Sequence, residues 1–185
     1  MFVKRPAARH HLAMGNQKTP LHIGQTDIEM ALFEFQHAAI CYIEAFYRHI
    51  EHQLIRITGD PNMSAQDCVI LHAIRLGDRP KSIPDIQHFT NRSDIANIQY
   101  GVRKLAKAGL VMKARNQPGR GATYELTRKG RDVTDEYVRA RREVIALLPH
   151  APEALIAEVG NATRAMLQLT GVYDHVSRTD AVRER

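Results

Sequence analysis

The chain has 185 residues, 44% of them hydrophobic, which excludes a disordered polymer and fits one domain of ordinary size with a true apolar core. Its two cysteines, Cys41 and Cys68, are too few for a disulfide framework, and no apolar run is long enough for a secretory or membrane-spanning segment; a soluble cytoplasmic protein is expected. The net charge of +6 is unevenly spread: Arg75 to Arg131 holds thirteen basic side chains against four acidic ones, an excess of nine that leaves −3 for the rest and marks this stretch as the one suited to a polyanion.

Residues 1–25 lack apolar periodicity and read as a flexible basic arm. Thr26 and Glu29 have the spacing of a capping box, and Ile28, Leu32, Phe35, Ala39, Tyr42, Phe46, Ile50 and Leu54 follow at helical spacing up to Gly59-Asp60-Pro61. A helix of about eight turns is predicted, longer than a small domain can bury, so residues 26–62 are expected to pack partly against a second chain. Ser64 and Asp67 open a second helix with Val69, Ile70, Ala73 and Ile74 on its apolar face, closed by Gly77-Asp78. A short third helix begins at Ser82, where Pro84 is tolerated because its missing N–H would be an orphan in the first turn anyway. After the polar break Thr90-Asn91-Arg92-Ser93, a fourth helix from Ser93 to Ala108 ends at Gly109.

The period then changes to two. Residues 110–115 and 122–126 read as strands joined by Asn116-Gln117-Pro118-Gly119-Arg120-Gly121, a hairpin with a basic tip. Thr127 caps another long helix with Val133, Tyr137, Val138, Val144, Ile145 and Leu148, and a last helix runs to about His175 through Leu155, Val159, Ala162, Met166 and Leu169. The expected fold is mainly α with a small β-hairpin wing, an α+β winged helix-turn-helix over 63–131, flanked by 26–62 and 132–185 as dimerisation helices.

In that arrangement the fourth helix enters the major groove of double-stranded DNA. Ile95, Ile98, Val102 and Leu105 form its inward stripe, and the opposite face carries Asn97, Tyr100, Arg103, Lys104 and Lys107, with Gln99 on the flank and Ser93 at the start. Asparagine can pair bidentately with adenine, arginine with guanine or phosphate, and lysine suits phosphate. Arg120 between two glycines fits a thin cationic finger for the minor groove, with Lys113 and Arg115 at its base for flanking phosphates. No nucleophile elbow, phosphate-cradling glycine loop or paired carboxylates are present, so no enzyme and no cofactor are expected. His49, Glu51 and His52 lack a further ligand, so no metal is expected either. A winged helix used only for protein docking is the alternative reading.

The runs Val102-Arg103-Lys104-Leu105-Ala106-Lys107-Ala108-Gly109-Leu110-Val111 and Tyr124-Glu125-Leu126-Thr127-Arg128-Lys129-Gly130 resemble the winged-helix core of MarR-family regulators, and the long flanking helices resemble that family's dimerisation region. The chain departs from the family in its wing, where Pro118-Gly119-Arg120-Gly121 stands in place of the usual Asp-x-Arg element. The resemblance implies a homodimer that acts on a pseudo-palindromic operator as a repressor. It also implies a small aromatic or anionic effector between the dimer region and the reading head, where His37, Cys41, Tyr42, Phe46, Cys68 and His72 are the candidates; core packing is their other reading. Some family members sense oxidants through a cysteine in the first helix, which makes Cys41 the candidate for a redox-sensing alternative.

Overall fold

The computed structural model describes residues 26–115, 121–148 and 152–183. Six α-helices and three short strands follow among the described residues in the order α1 (Asp27–Thr58), α2 (Ala65–Arg75), β1 (Lys81–Ser82), α3 (Ile83–Thr90), α4 (Ile95–Lys107), β2 (Val111–Lys113), β3 (Thr123–Leu126), α5 (Arg128–Ala146) and α6 (Pro152–Arg183). The predicted Arg120 tip and the 1–25 arm lie outside the described residues.

Local signals set the helix ends. Thr26 with Glu29 and Ser64 with Asp67 form reciprocal capping boxes, and Gly59 closes α1 in the left-handed conformation at φ 70°. A third box, Ser82 with Asp85, opens α3; its pattern is equally visible in the sequence. Two Ser82 donors on one carboxylate hold the Asp85 acid down at about 2.

The sheet has one strand more than the hairpin the sequence predicts. β1 pairs antiparallel with β3, Lys81 opposite Tyr124, and β3 pairs with β2, giving the order β1-β3-β2. Two residues are too few for a visible alternation, so β1 exists only through its partner. Lys81 is buried there, its ammonium donating to the carbonyls of Leu76 and Arg79, and burial depresses its pKa. The last helix also outruns its predicted end near His175, reaching Arg183.

Ile70, Leu71, Ile86, Ile98, Val102, Leu105 and Leu110 form the centre of the core, which the C-terminal end of α1 closes through Ile50 and Leu54 and α5 through Val133 and Tyr137. The two sequence runs that carry the family resemblance prove to be halves of one joint. Thr127 Oγ1 donates to Gly109 O at 2.7 Å and Lys129 Nζ to Ala108 O at 3.0 Å, satisfying carbonyls that the end of α4 leaves open. Gly130 passes so close to this end that a Cβ on it would lie 2.0 Å from the carbonyl oxygen of Leu110.

Beyond this core the long helices keep apolar side chains in solvent. In α1 only Ile50 and Leu54 of the predicted stripe are buried, whereas Ile28 and Tyr42 are exposed. Val138, Val144, Ile145 and Leu148 on and just after α5, and Ile156, Leu167 and Val172 on α6, are exposed as well. A bond between Gln36 and the Tyr173 hydroxyl joins α1 to α6.

Candidate nucleic-acid interface

The helix α4 packs Ile98, Val102 and Leu105 inward, together with Gly101, which lies against Ile70 of α2. Ile95 departs from the stripe predicted for it. It is 44% exposed because, in the first turn, it lies at the edge of the face that α2 and α3 cover. Ser93 precedes the helix and stays exposed, since helical geometry begins only at Ile95 with Asp94 as its cap residue.

Asn97, Gln99, Tyr100, Arg103 and Lys107 are all exposed on α4. Gln99 and Arg103 line one wall of an open groove of about 1050 Å³ whose other walls are Arg79, Pro80 and Ser82 to Asp85 and the β3 side of the hairpin, Gly121 to Tyr124. Tyr100, Arg103 and Lys107 line a second recess of about 720 Å³ that ends at Asp60 and Asn62 beyond α1. Lys113 and Arg115 are exposed at the base of the hairpin.

Ion pairing divides the basic residues of this region into two groups. Arg75 pairs with Asp135, Arg79 with Asp85, Arg92 with Asp94 and Lys104 with Asp67, while Lys81 and Lys129 donate to backbone carbonyls. Lys104 is thus paired as well as half-buried, its Nζ 2.5 Å from a carboxylate that is almost fully buried, and it lines the second recess beside Arg103 and Lys107. The side chains of Arg103, Lys107, Lys113, Arg115, Arg128 and Arg131 have no hydrogen-bond or ion-pair partner among the described residues. Four of these six lie on α4 or at the wing base, where free cations can meet phosphate.

The predicted effector residues fall into local pairs. Cys41 Sγ lies 3.7 Å from His37 Nε2 on the exposed side of α1, and the rings of Tyr42 and Phe46 stack 5.9 Å apart. Cys68 and His72 are on α2, where His72 Nδ1 donates to the Cys68 carbonyl at 2.8 Å and the ring meets Tyr137 of α5 edge-on, with centroids 4.5 Å apart. His72 Nε2 is buried without a partner among the described residues, and burial depresses the histidine pKa. Burial, helped by the Asp67 charge, pushes the Cys68 thiol up to about 12, so it is not a thiolate at neutral pH. Tyr137, named from the sequence only as a residue of the fifth helix, adjoins His72, and burial raises its own pKa.

Three features now stand together: the short helices α2, α3 and α4, a hairpin sheet closed by β1, and a row of unpaired cations on α4 and at the base of the hairpin. Residues 63–130 match the family model described as "Winged helix DNA-binding domain", and this region of the chain is a winged-helix domain. No curated protein sequence matches the chain. Among solved structures, MarR from Staphylococcus aureus in complex with salicylate and kanamycin is 17% identical with a TM-score of 0.61, over 78% of this chain and 95% of that one. FabT from Streptococcus pneumoniae in complex with DNA is 13% identical with a TM-score of 0.55, over 75% and 99%. AbsC, a MarR family transcriptional regulator from Streptomyces coelicolor, is 22% identical with a TM-score of 0.54, over 81% and 99%. The chain is therefore a winged-helix protein with the fold of the MarR family, flanking helices included. None of its described helices is long and apolar enough to cross a membrane.

Proposed function

We propose that the chain is a MarR-type transcription regulator, a repressor that binds a pseudo-palindromic operator as a homodimer and performs no catalysis. The observation that carries this reading is the set of unpaired cations, Arg103, Lys107, Lys113 and Arg115, ranged along one helix and the adjoining wing base beside Asn97, Gln99 and Tyr100. A polar and cationic face of this kind suits a nucleic acid better than the apolar patch a protein-docking winged helix would present. The FabT complex with DNA adds support by analogy of fold.

The dimer rests on the apolar side chains that α1, α5 and α6 leave in solvent. Burying one aliphatic side chain contributes about 1.5–3 kcal/mol. Several such side chains on each protomer supply an apolar face of the kind that can offset the roughly 4–15 kcal/mol that association costs. A two-fold axis would cover the same face on both copies. For the effector, the structure of a MarR bound to salicylate supports a small aromatic or anionic compound, with His37, Cys41, Tyr42 and Phe46 of α1 and Cys68 and His72 of α2 as the candidate residues.

The test is fluorescence anisotropy with duplexes recovered from the promoter region adjoining the protein's own gene. Two recognition helices on one dimer require half-site centres about one helical turn, ~10 bp, apart. Inserting about 5 bp, half a turn, should drop affinity to the non-specific level. Undiminished binding after that insertion would refute a symmetric dimer reading one face of the duplex.

A further inference from the structure

Four side chains around the start of α4 form a continuous chain of hydrogen bonds. Arg92 sets Nε and Nη2 on the two carboxylate oxygens of Asp94 at 2.8 and 2.6 Å. Its Nη1 reaches Gln66 Oε1 of α2 at 2.6 Å, which ties the fork to the body of the domain. Asn97 completes the chain by donating from Nδ2 to Asp94 Oδ2 at 3.0 Å. The Arg92 fork, with help from Asn97, holds the Asp94 acid down at about 2, so at neutral pH this carboxylate only accepts.

A free asparagine amide has two ends of opposite character, and it can turn over at little cost to offer either one to a base. Here turning over would set Oδ1 against a carboxylate, two acceptors with no proton between them. We propose that Asp94, fixed by Arg92, is a positioning residue that locks the Asn97 amide with Oδ1 outward. Asn97 therefore selects adenine or cytosine over guanine or thymine at one position of each half-site. The selection follows from the major-groove edges: adenine presents its N6 amino group and cytosine its N4, whereas guanine O6 and thymine O4 are acceptors that would face Oδ1.

This inference rests on the proposed reading of α4 as the DNA-reading helix and adds the polarity of one contact to it. It also changes the part the acidic residue plays. An aspartate at a DNA-facing helix start is otherwise a plain repulsive charge, which lowers affinity for every sequence alike.

The test separates the two parts. Sites are selected from a randomised duplex pool, and affinities are then measured for the four base pairs at each preferred position and for a duplex without a site. The full chain and its Asp94→Ala and Asn97→Ala variants are compared. For the unaltered chain, one position should favour adenine and cytosine over guanine and thymine by at least about fivefold. Both variants should reduce that ratio to less than about twofold while keeping the preferences at other positions. If Asp94→Ala raises affinity for all duplexes equally and preserves the ratio, the positioning role is overturned. Retention of the ratio by Asn97→Ala overturns Asn97 as the reader. A chain that enriches no site fails at the earlier step, the reading of α4, and is recognised by the absence of preference at every position.

A second measurement needs no DNA. In the free protein one Asn97 side-chain amide proton should resonate downfield and exchange slowly in NMR spectra, and Asp94→Ala should abolish both effects while the rest of the spectrum shows the fold intact. Identical Asn97 amide signals in the two proteins would overturn the clasp.

Discussion

Lys104 and Lys107 stand one turn apart on α4, yet the structure gives them different work, and substituting each by alanine tests the division. The Lys104 ammonium is 2.5 Å from Asp67 Oδ2, and that carboxylate is 4% exposed while the lysine side chain is 21% exposed. Removing Lys104 leaves Asp67 buried but still holding the Ser64 N–H at 2.9 Å and the Ser64 hydroxyl at 2.8 Å. Breaking a fully buried pair costs about 3–5 kcal/mol. The remaining donors and the partial exposure of Lys104 lower the expected loss to about 2 kcal/mol, or about 4–8 °C in Tm for a chain of this size. Lys107 is exposed and unpaired, so Lys107→Ala should leave Tm within about 1–2 °C. In DNA binding the order reverses. Each phosphate that is no longer neutralised makes the fall of log K with log salt shallower by about 1, so Lys107→Ala in a dimer should reduce the slope by about 2 and Lys104→Ala should leave it unchanged. Thermal unfolding followed by circular dichroism and anisotropy titrations from about 50 to 200 mM salt give both readouts. A Lys104→Ala protein of native stability with a reduced salt slope would refute the assignment.

Gly130→Ala should destabilise the chain by more than about 3 kcal/mol, since its Cβ would meet a backbone carbonyl at 2.0 Å, whereas Gly121→Ala, with open space around it, should unfold at nearly the normal temperature. His72 has a folded pKa below its ordinary value of 6.5, so the unfolded chain binds its proton first. Its contribution to stability is therefore complete above about pH 6.5 and is lost as pH falls from there through the folded pKa. Urea unfolding from about pH 7 to 5 should show a steeper decline for the unaltered chain than for His72→Phe, and parallel declines would contradict this account. If α4 reads the major groove as proposed, Ile95, exposed in its first turn, would meet a thymine methyl group. Replacing single thymines of the operator by deoxyuridine should weaken binding of the unaltered chain at one position per half-site, and Ile95→Ala should be indifferent to that replacement.

The local grammar of the chain is legible without a structure. The Thr26 and Ser64 capping boxes, the left-handed Gly59, the hairpin period and the concentration of positive charge each depend on residues a few positions apart, and each sets an element by its own chemistry. The exposed polar row of α4 can be named for the same reason, because 3.6-residue periodicity decides which side chains oppose Ile98, Val102 and Leu105. Pairings between distant segments cannot be read this way. Lys104 looks like any cation of that row until α2 brings Asp67 to it from 37 positions away, and Ile95 looks like core until the edge of the α2 and α3 cover leaves it out. β1 has too few residues to have a pattern of its own and is a strand only because β3 supplies its hydrogen bonds. Sequence therefore determined where helices begin and which faces are apolar, through interactions within a turn or two. Tertiary structure alone decided which charges are neutralised and which remain free for a polyanion, because a salt bridge depends on distance in space and the chain order does not contain it.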